Sequence, residues 1–515
     1  MENRFKQSLL DKNSLSVTWE VVPGRGAREK AQETALAAAE QAAKGGKVHA
    51  ITITDMPGGN PAILADYLGA EILKMGIEPL VHFTCKDKNR NQMEGQLYGM
   101  DRAGIRNLLV MTGDYPVSGF QGRPKPVFDL DPTHALELIA NMNKGLEIPG
   151  MKASTFNQKS DFFSGCAVSP FKGTEAELMV QYYKLKKKIE AGADFVVTQL
   201  GYDVRKFHEV LQFMKVNKLD VPVVGNIYIL PFGAARLMNS NALPGCVVTD
   251  KLLAELDKEK GAEDKGVGAR LLRAAKMYAI MKGMGFDGVH IGGHGIKYEQ
   301  VEYILEKGDE LSKNWMDLVP EFDYPQKNGF YYFEKDEKTG LNTTTLTNRT
   351  GRPLDAPVGV GYSMMRMMHA AAFEPKAPFF GMMQSIYKNH NPKKHGLEHI
   401  TKVITNDCKD CGDCMLLDLG YLCPMSQCPK NQRNGACGGS YEGWCEVYPN
   451  EKKCVWVRAY ARLKKYGDEN QLNSYRVPPA NWNLYQTSSW YNFFTGLDHS
   501  AERLGIKNPN EKKDK

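Results

Sequence analysis

Eight of the eleven cysteines lie between residues 408 and 454: Cys408, Cys411, Cys414, Cys423, Cys428, Cys437, Cys445 and Cys454. Packing alone does not need thiols at that density, whereas thiolates bind iron and zinc strongly. The run Cys408-x2-Cys411-x2-Cys414, with Cys423-Pro424 beyond it, approaches the layout of a cubane [4Fe–4S] cluster. Cys428, Cys437, Cys445 and Cys454 suit a second cluster or a tetrahedral zinc. Ligand type does not choose between the metals. A second set of candidates is dispersed. Glu20, Thr54, His82, Asp114, Gln199 and the loop Gly292-Gly293-His294-Gly295 each end an apolar, β-branched run. The two carboxylates offer a proton donor and a charge stabiliser, and the Gln199 amide needs partners if it is buried. Lys184, Lys187 and Lys188 stand at i, i+3 and i+4, which puts three ammonium groups on one helix face. That face suits a diphosphate, or plain solvent.

These residues need a scaffold, and the runs that precede them supply one. Strands are expected at Leu15–Glu20, Val48–Thr54, Pro79–Thr84, Asn107–Asp114, Gly165–Ser169, Phe195–Leu200, Val221–Ile229 and Gly288–Gly293. Amphipathic stretches such as Ala27–Lys44, Pro61–Met75, Asn91–Ala103 and Thr174–Ala191 lie between them. Eight strand–helix alternations predict an α/β fold, a (β/α)8 TIM barrel, in which strand C-termini build the active site. An open doubly wound sheet would usually carry G-x-G-x-x-G after its first strand, and here that strand leads into Val21-Val22-Pro23-Gly24. The expected division is a barrel over 1–305, a connecting region over 306–395 and a cysteine-rich metal module with an aromatic arm over 396–515. In the connecting region Gly329–Phe333 suggests a strand and Lys338–Pro353 turns, while the methionine-rich Met364–Ala372 suggests a buried helix. Trp482, Tyr485, Trp490, Tyr491, Phe493 and Phe494 form an arm expected to pack on another domain or subunit, which favours an oligomer. The final six residues are expected to be disordered. Cys85, Cys166 and Cys246 read as buried apolar thiols.

Composition sets outer limits. The 515 residues are 42% hydrophobic and 24% charged, with a formal charge of +6 spread among nearly balanced acids and bases. That pattern gives no case for nucleic acid. No apolar run reaches the ~18 residues of a membrane span, and the N-terminus lacks the apolar core of a secretory signal. A cytoplasmic location is expected, where thiols stay reduced and clustered cysteines bind metal rather than pair.

Several segments together resemble one family. His82-Phe83-Thr84-Cys85-Lys86-Asp87-Lys88-Asn89-Arg90, then Gly104 through Asp114, Trp19-Glu20, and Glu190 through Gln199 resemble methylenetetrahydrofolate reductases in register from about residue 14 to 300. The resemblance implies a flavin-binding barrel that reduces the methylene carbon of 5,10-methylenetetrahydrofolate to methyl. Glu20 matches the family's general acid, which protonates the folate and opens its five-membered ring. Asp114 matches the carboxylate near flavin and folate, and Gln199 the amide that contacts the pterin. Thr54, His82, Thr112 and Gly113 match positions lining the flavin. Lys187 and Lys188, with Lys184 on the same face, match a basic set near its phosphates. Val168 through Thr174 departs from the family pattern, and there Lys172 takes the place of a histidine on the phosphate side. FAD is the implied cofactor, and FMN would need fewer of the altered contacts.

The cysteine segment resembles a C-terminal module of certain bacterial methylenetetrahydrofolate reductases, through Cys411-Gly412-Asp413-Cys414, Cys423-Pro424, Cys428-Pro429, Arg433 to Gly439, and Cys445 with Cys454. Cys408 is an addition to the shared set, and it favours a cluster. If the metal is iron–sulfur, the expected donor is ferredoxin or a multi-subunit electron-transfer complex. If it is zinc, the module is a structural docking domain and NAD(P)H reduces the flavin directly. A third reading, a pterin-binding methyltransferase acting with a corrinoid partner, fits the barrel and leaves Glu20, Asp114 and the lysine face without roles.

Overall fold

The computed structural model describes residues 2–148, 155–348 and 359–509. Eight parallel strands close into a barrel in chain order: β1 Ser16–Val21, β2 Ala50–Ile53, β3 Glu78–Thr84, β4 Asn107–Met111, β5 Phe163–Val168, β6 Phe195–Thr198, β7 Val223–Tyr228 and β8 Gly288–Gly292. The expected strands therefore exist, with lengths that differ from the expected ones by up to three residues. β1 closes the ring on β8, with Thr18 opposite His290. Helices Lys30–Gly45, Ala65–Leu73, Arg90–Ala103 and Glu175–Glu190 are among those between the strands.

Alternation along the strands separates two environments. Val17, Trp19, Ile51, Ile53, Val81, Phe83, Leu108 and Val110 join the large core shared with the helices. Ala50, Leu80, Leu109, Phe163, Phe195, Val197 and Val224 form a second core inside the barrel. Phe5 and Leu9, from a helix at Arg4–Leu10 with no counterpart among the expected elements, are fully buried in that inner core. Phe5 meets the rings of Phe163 and Phe195 edge-on. Burying two such side chains contributes about 2 kcal/mol each. The short helix thus seals one end of the barrel, and the same strand faces turn polar toward the other: Thr18, Glu20, Thr52, Thr54, His82, Thr84, Asn226 and His290.

Beyond the barrel, the residues expected as turns include a strand, Asn342–Leu346, paired antiparallel with Phe333–Lys335. Its threonines favour extended backbone, and Arg205 reaches across to the Asn342 side chain and the Phe333 carbonyl. The methionine-rich segment is helical over Val360–Ala372, but Met364 and Met367 are 59% and 70% exposed, so it is not a buried helix. Part of the expected turn region, and the terminal lysine-rich residues, lie outside the described residues. Phe493 and Phe494 are buried against Phe373 and Phe380 of the same chain. That part of the arm thus packs within the chain, while Trp482 and Tyr485 are 44% and 52% exposed. Cys85 and Cys166 are buried and Cys246 is half-buried. Among the described residues, no helix is long and apolar enough to cross a membrane.

Candidate functional site

Glu20, one residue before the end of β1, lies on the polar side of the barrel interior, its side chain 21% exposed and 3.4 Å from His290 Nε2. His290 Nδ1 lies 2.9 Å from Thr18 Oγ1, so one hydrogen-bonded row joins the hydroxyl, the imidazole and the carboxylate. Burial pushes the Glu20 carboxyl up, but the hydrogen bond and charge of His290, with His82 adding to them, leave it below its ordinary value. The row therefore sets an imidazole nitrogen directly beside the carboxylate. His290 was missed in the sequence, where the glycine-rich loop drew attention to His294. His294 is exposed, whereas His290 is buried. Register was the available signal: two residues before Gly292, it shares the inward face of β8.

His82 stands beside this pair on β3. Burial pushes its imidazole down to about 4, against the opposing charge of Glu20. Among the described residues its Nε2 has no hydrogen-bond partner, and neither do the Oγ of Thr52, Thr54 and Ser169 or the Oδ1 of Asn226. Buried polar atoms without partners are costly. A cluster of them at one barrel end fits a polar ring system with acceptors and donors on its edge, as a flavin or a pterin has.

Across the mouth, Asp55 is buried against Lys88 Nζ at 3.0 Å and takes the Thr84 hydroxyl at 2.6 Å. Thr112 Oγ1 lies 3.1 Å from Gln432 Oε1, a residue of the cysteine-rich segment. Gly113 adopts φ +82°, and a Cβ there would sit 2.8 Å from Thr84 Cβ, so glycine alone fits. Asp114 is exposed, its Oδ2 accepting the Gly58 N–H at 2.7 Å. Gln199 uses its Oε1 on the Leu200 N–H and is half-buried.

The lysine face is not open. Residues 432–440 lie over it, with Lys184 Nζ donating to Gln432 Oε1 at 2.7 Å and to the Gly435 carbonyl at 3.1 Å. Lys188 donates to the Ala167 carbonyl, and Lys172 to the carbonyls of Gly438 and Ser440. Lys187 is 3% exposed, and burial pulls its ammonium down to about 8 against the charges of Asp131 and Asp418. The expectation of a lysine row free for a diphosphate, or bathed in solvent, is thus corrected for these side chains. Acceptors of the module take the place of water around Lys172 and Lys184, and a barrel carbonyl does so for Lys188.

The eight clustered cysteines carry no disulfide and separate into two sets. Cys408, Cys411, Cys414 and Cys423 line one pocket with Glu398, His399 and Lys402. Cys428, Cys437, Cys445 and Cys454 influence one another's thiols, and the short Tyr441–Trp444–Lys453 bridges bring the last two together. Burial pushes these thiols up, while backbone N–H groups of Lys430 and Gln432 at Cys428, and of Trp456 and Val457 at Cys454, pull the other way. N–H groups aimed at sulfur stabilise ligating thiolates. Zinc thiolates stand about 3.8 Å apart when the bonds are ~2.3 Å and tetrahedral. Among the described residues, no three of these sulfurs lie within 4.8 Å of one another. One trio does meet that limit, His395, His399 and Asp410, where His395 Nε2 and Asp410 Oδ1 are hydrogen-bonded at 3.0 Å.

Asp413, between Cys411 and Cys414, anchors a buried charge network that the sequence did not suggest. It accepts from Arg433 Nη2 at 2.8 Å and pairs with His499 Nδ1, whose Nε2 lies 2.9 Å from Asp418. Burial opposes the His499 charge, but the two aspartates outweigh it and raise the imidazole to about 9. Arg503 closes the network on Asp418.

Residues 4–303 match the family described as "Methylenetetrahydrofolate reductase", and residues 387–483 match "Methylene-tetrahydrofolate reductase C terminal". Methylenetetrahydrofolate reductase 2 of Schizosaccharomyces pombe is 25% identical over 288 residues, covering 52% of this chain and 41% of that protein. The 5,10-methylenetetrahydrofolate reductase of Pectobacterium carotovorum is 26% identical over 155 residues, covering 30% of this chain and 44% of that protein. The chain spans less than half the length of these curated relatives. The match over 4–303 takes in every strand of the barrel and all the residues around Glu20 and His290, and by it the chain belongs to the methylenetetrahydrofolate reductase family.

Proposed function

We propose that the protein reduces 5,10-methylenetetrahydrofolate to 5-methyltetrahydrofolate with a flavin seated at the polar end of the barrel. The observation that carries this reading is the Glu20–His290 pair set among partnerless buried polar atoms. Reduced flavin, when bound, supplies the hydride. The chain's own residues do the rest. Glu20, recharged through His290 and Thr18, delivers a proton to the folate and opens its ring, and it is the general acid. Asp114 stabilises the cationic folate that follows, and Gln199 fixes the pterin. Thr54, His82, Thr112 and Gly113 line the cofactor, with FAD the family's expectation and FMN the smaller alternative. His82, held neutral, offers its free Nε2 as a hydrogen-bond partner without adding charge.

The two cysteine sets hold [4Fe–4S] clusters in this reading, which the Cys408-x2-Cys411-x2-Cys414 run with Cys423-Pro424 beyond it supports. Such clusters supply one-electron transfer. The Cys428 set adjoins the barrel through Glu446 and Lys430. The helix Leu397–Asn406 lines the Cys408 pocket with Glu398, His399 and Lys402 and exposes Leu397, Ile400 and Ile404 elsewhere on its surface, which suits a protein donor such as ferredoxin or a larger electron-transfer complex. The test is analysis of flavin, iron and acid-labile sulfide, with a visible spectrum, on anaerobically purified protein. Bound flavin with two clusters per chain is expected. Protein without flavin that ignores added FAD and FMN would end the reductase reading, and stoichiometric zinc without sulfide would end the cluster reading.

A further inference from the structure

We propose that the cysteine-rich module completes the barrel's reaction site with Lys430, a positioning residue whose ammonium sets the charge at the Gly113–Asp114 turn. This rests on the flavin reading above and adds to it a residue from outside the barrel.

Lys430 follows Cys428 by two residues and is 3% exposed. Its Nζ donates to the Gly113 carbonyl at 2.7 Å, across 317 residues of sequence, and pairs with the Glu446 carboxylate. The turn it touches is tightly specified. Gly113 has no room for a side chain, and the next residue, Asp114, is tied through Oδ2 to the Gly58 N–H. The ammonium therefore stands one residue from the carboxylate assigned to flavin and folate. Glu446 Oε1 also lies 3.4 Å from Cys437 Sγ. A Cβ on Gly439 would lie 1.2 Å from Glu446 Oε2, so the Gly438-Gly439 turn leaves the space that Glu446 fills. The same turn approaches Gln199, with Gly438 O and Gln199 Nε2 both within 3.6 Å of a Cβ built on Gly245.

A buried ammonium is costly unless paired and hydrogen-bonded. This one is both, and it is pointed at the barrel mouth instead of solvent. A structural staple between module and barrel needs no charge there, because an apolar contact would hold two surfaces together at lower desolvation cost. A cation beside Asp114 has an electrostatic consequence. Reduced flavin is anionic near neutral pH, so Asp114 weakens its binding relative to the oxidised form and Lys430 offsets that effect.

The experiment is an anaerobic redox titration of the flavin in the full-length, metal-loaded protein, comparing wild type with Lys430→Met, Lys430→Arg and Glu446→Gln. Lys430→Met should lower the affinity for reduced relative to oxidised flavin about tenfold, a fall of ~30 mV for a two-electron couple. Lys430→Arg should restore the wild-type value, and Glu446→Gln, which leaves the ammonium uncompensated, should shift it upward. Equal potentials in wild type and Lys430→Met would overturn the proposal. So would loss of flavin from the Met and Arg variants alike, since shape and not charge would then be required. A wild-type protein that binds no flavin would instead defeat the reading on which the proposal rests.

Discussion

The barrel and the cysteine-rich module are stabilised by opposite means. In the barrel, apolar side chains alternate on every strand and fill two cores, so the fold follows from periodic burial alone. Over residues 408–454 the module has a single four-residue helix, Pro424–Gln427, and isolated bridges. Its interior holds thiols and the Asp413–Arg433–His499–Asp418 charges. One region needs no ligand to be compact, whereas the other brings together groups that repel or desolvate unless a cation joins them. The site lies where the two meet, so a metal bound in the module would be linked to the geometry at the barrel mouth.

Stripping the metal should break this comparison most visibly. Chelation under reducing conditions, or Cys437→Ser, is expected to make residues 408–500 susceptible to protease while the barrel keeps its circular dichroism. Structural metal sites contribute on the order of 10 kcal/mol. A module that stays protease-resistant without metal would show that its charge network suffices.

Asp413→Asn probes the other component. It leaves Arg433 and His499 buried without their shared carboxylate, and the expected loss in module stability is about 3–5 kcal/mol. Denaturant unfolding followed through the module's aromatic signal measures it, and a loss below ~1 kcal/mol would assign the network to the surface-pair class.

The barrel's own weakness is pH. Burial depresses His82 to about 4, below its ordinary value of ~6.5, so the folded state favours the neutral imidazole. Its contribution is present above pH ~6.5 and is lost as pH falls toward 4, by about 3 kcal/mol in all. His82→Gln should flatten that part of the curve. Comparing the two proteins isolates His82 from His208, which burial depresses similarly. Parallel curves would contradict the assignment.

The barrel was legible because period-2 burial leaves a direct trace in sequence, and the strand ends that carry Glu20, Thr54 and His82 came with it. His290 was hidden by a neighbouring glycine-rich loop that imitates a binding loop. The helix Arg4–Leu10 was passed over because its seven residues show only two apolar anchors that matter, Phe5 and Leu9, whose partners lie on strands far along the chain. The lysine row had a correct helix and a wrong environment, since Gln432 and Gly435 cover Lys184 from about 250 residues away. Helical spacing says which side chains share a face, and says nothing of what will lie over it. For the same reason the reach of Lys430 to Gly113 was not readable from spacing.

The most direct measurement separates the two halves of the reaction in Glu20→Gln. Stopped-flow reduction of the bound flavin by dithionite should match wild type. Reoxidation by methylenetetrahydrofolate should slow by about 10²–10⁴-fold, the loss expected for a missing general acid. Reoxidation at the wild-type rate would contradict the account, because the carboxylate beside His290 would then not be the source of the proton.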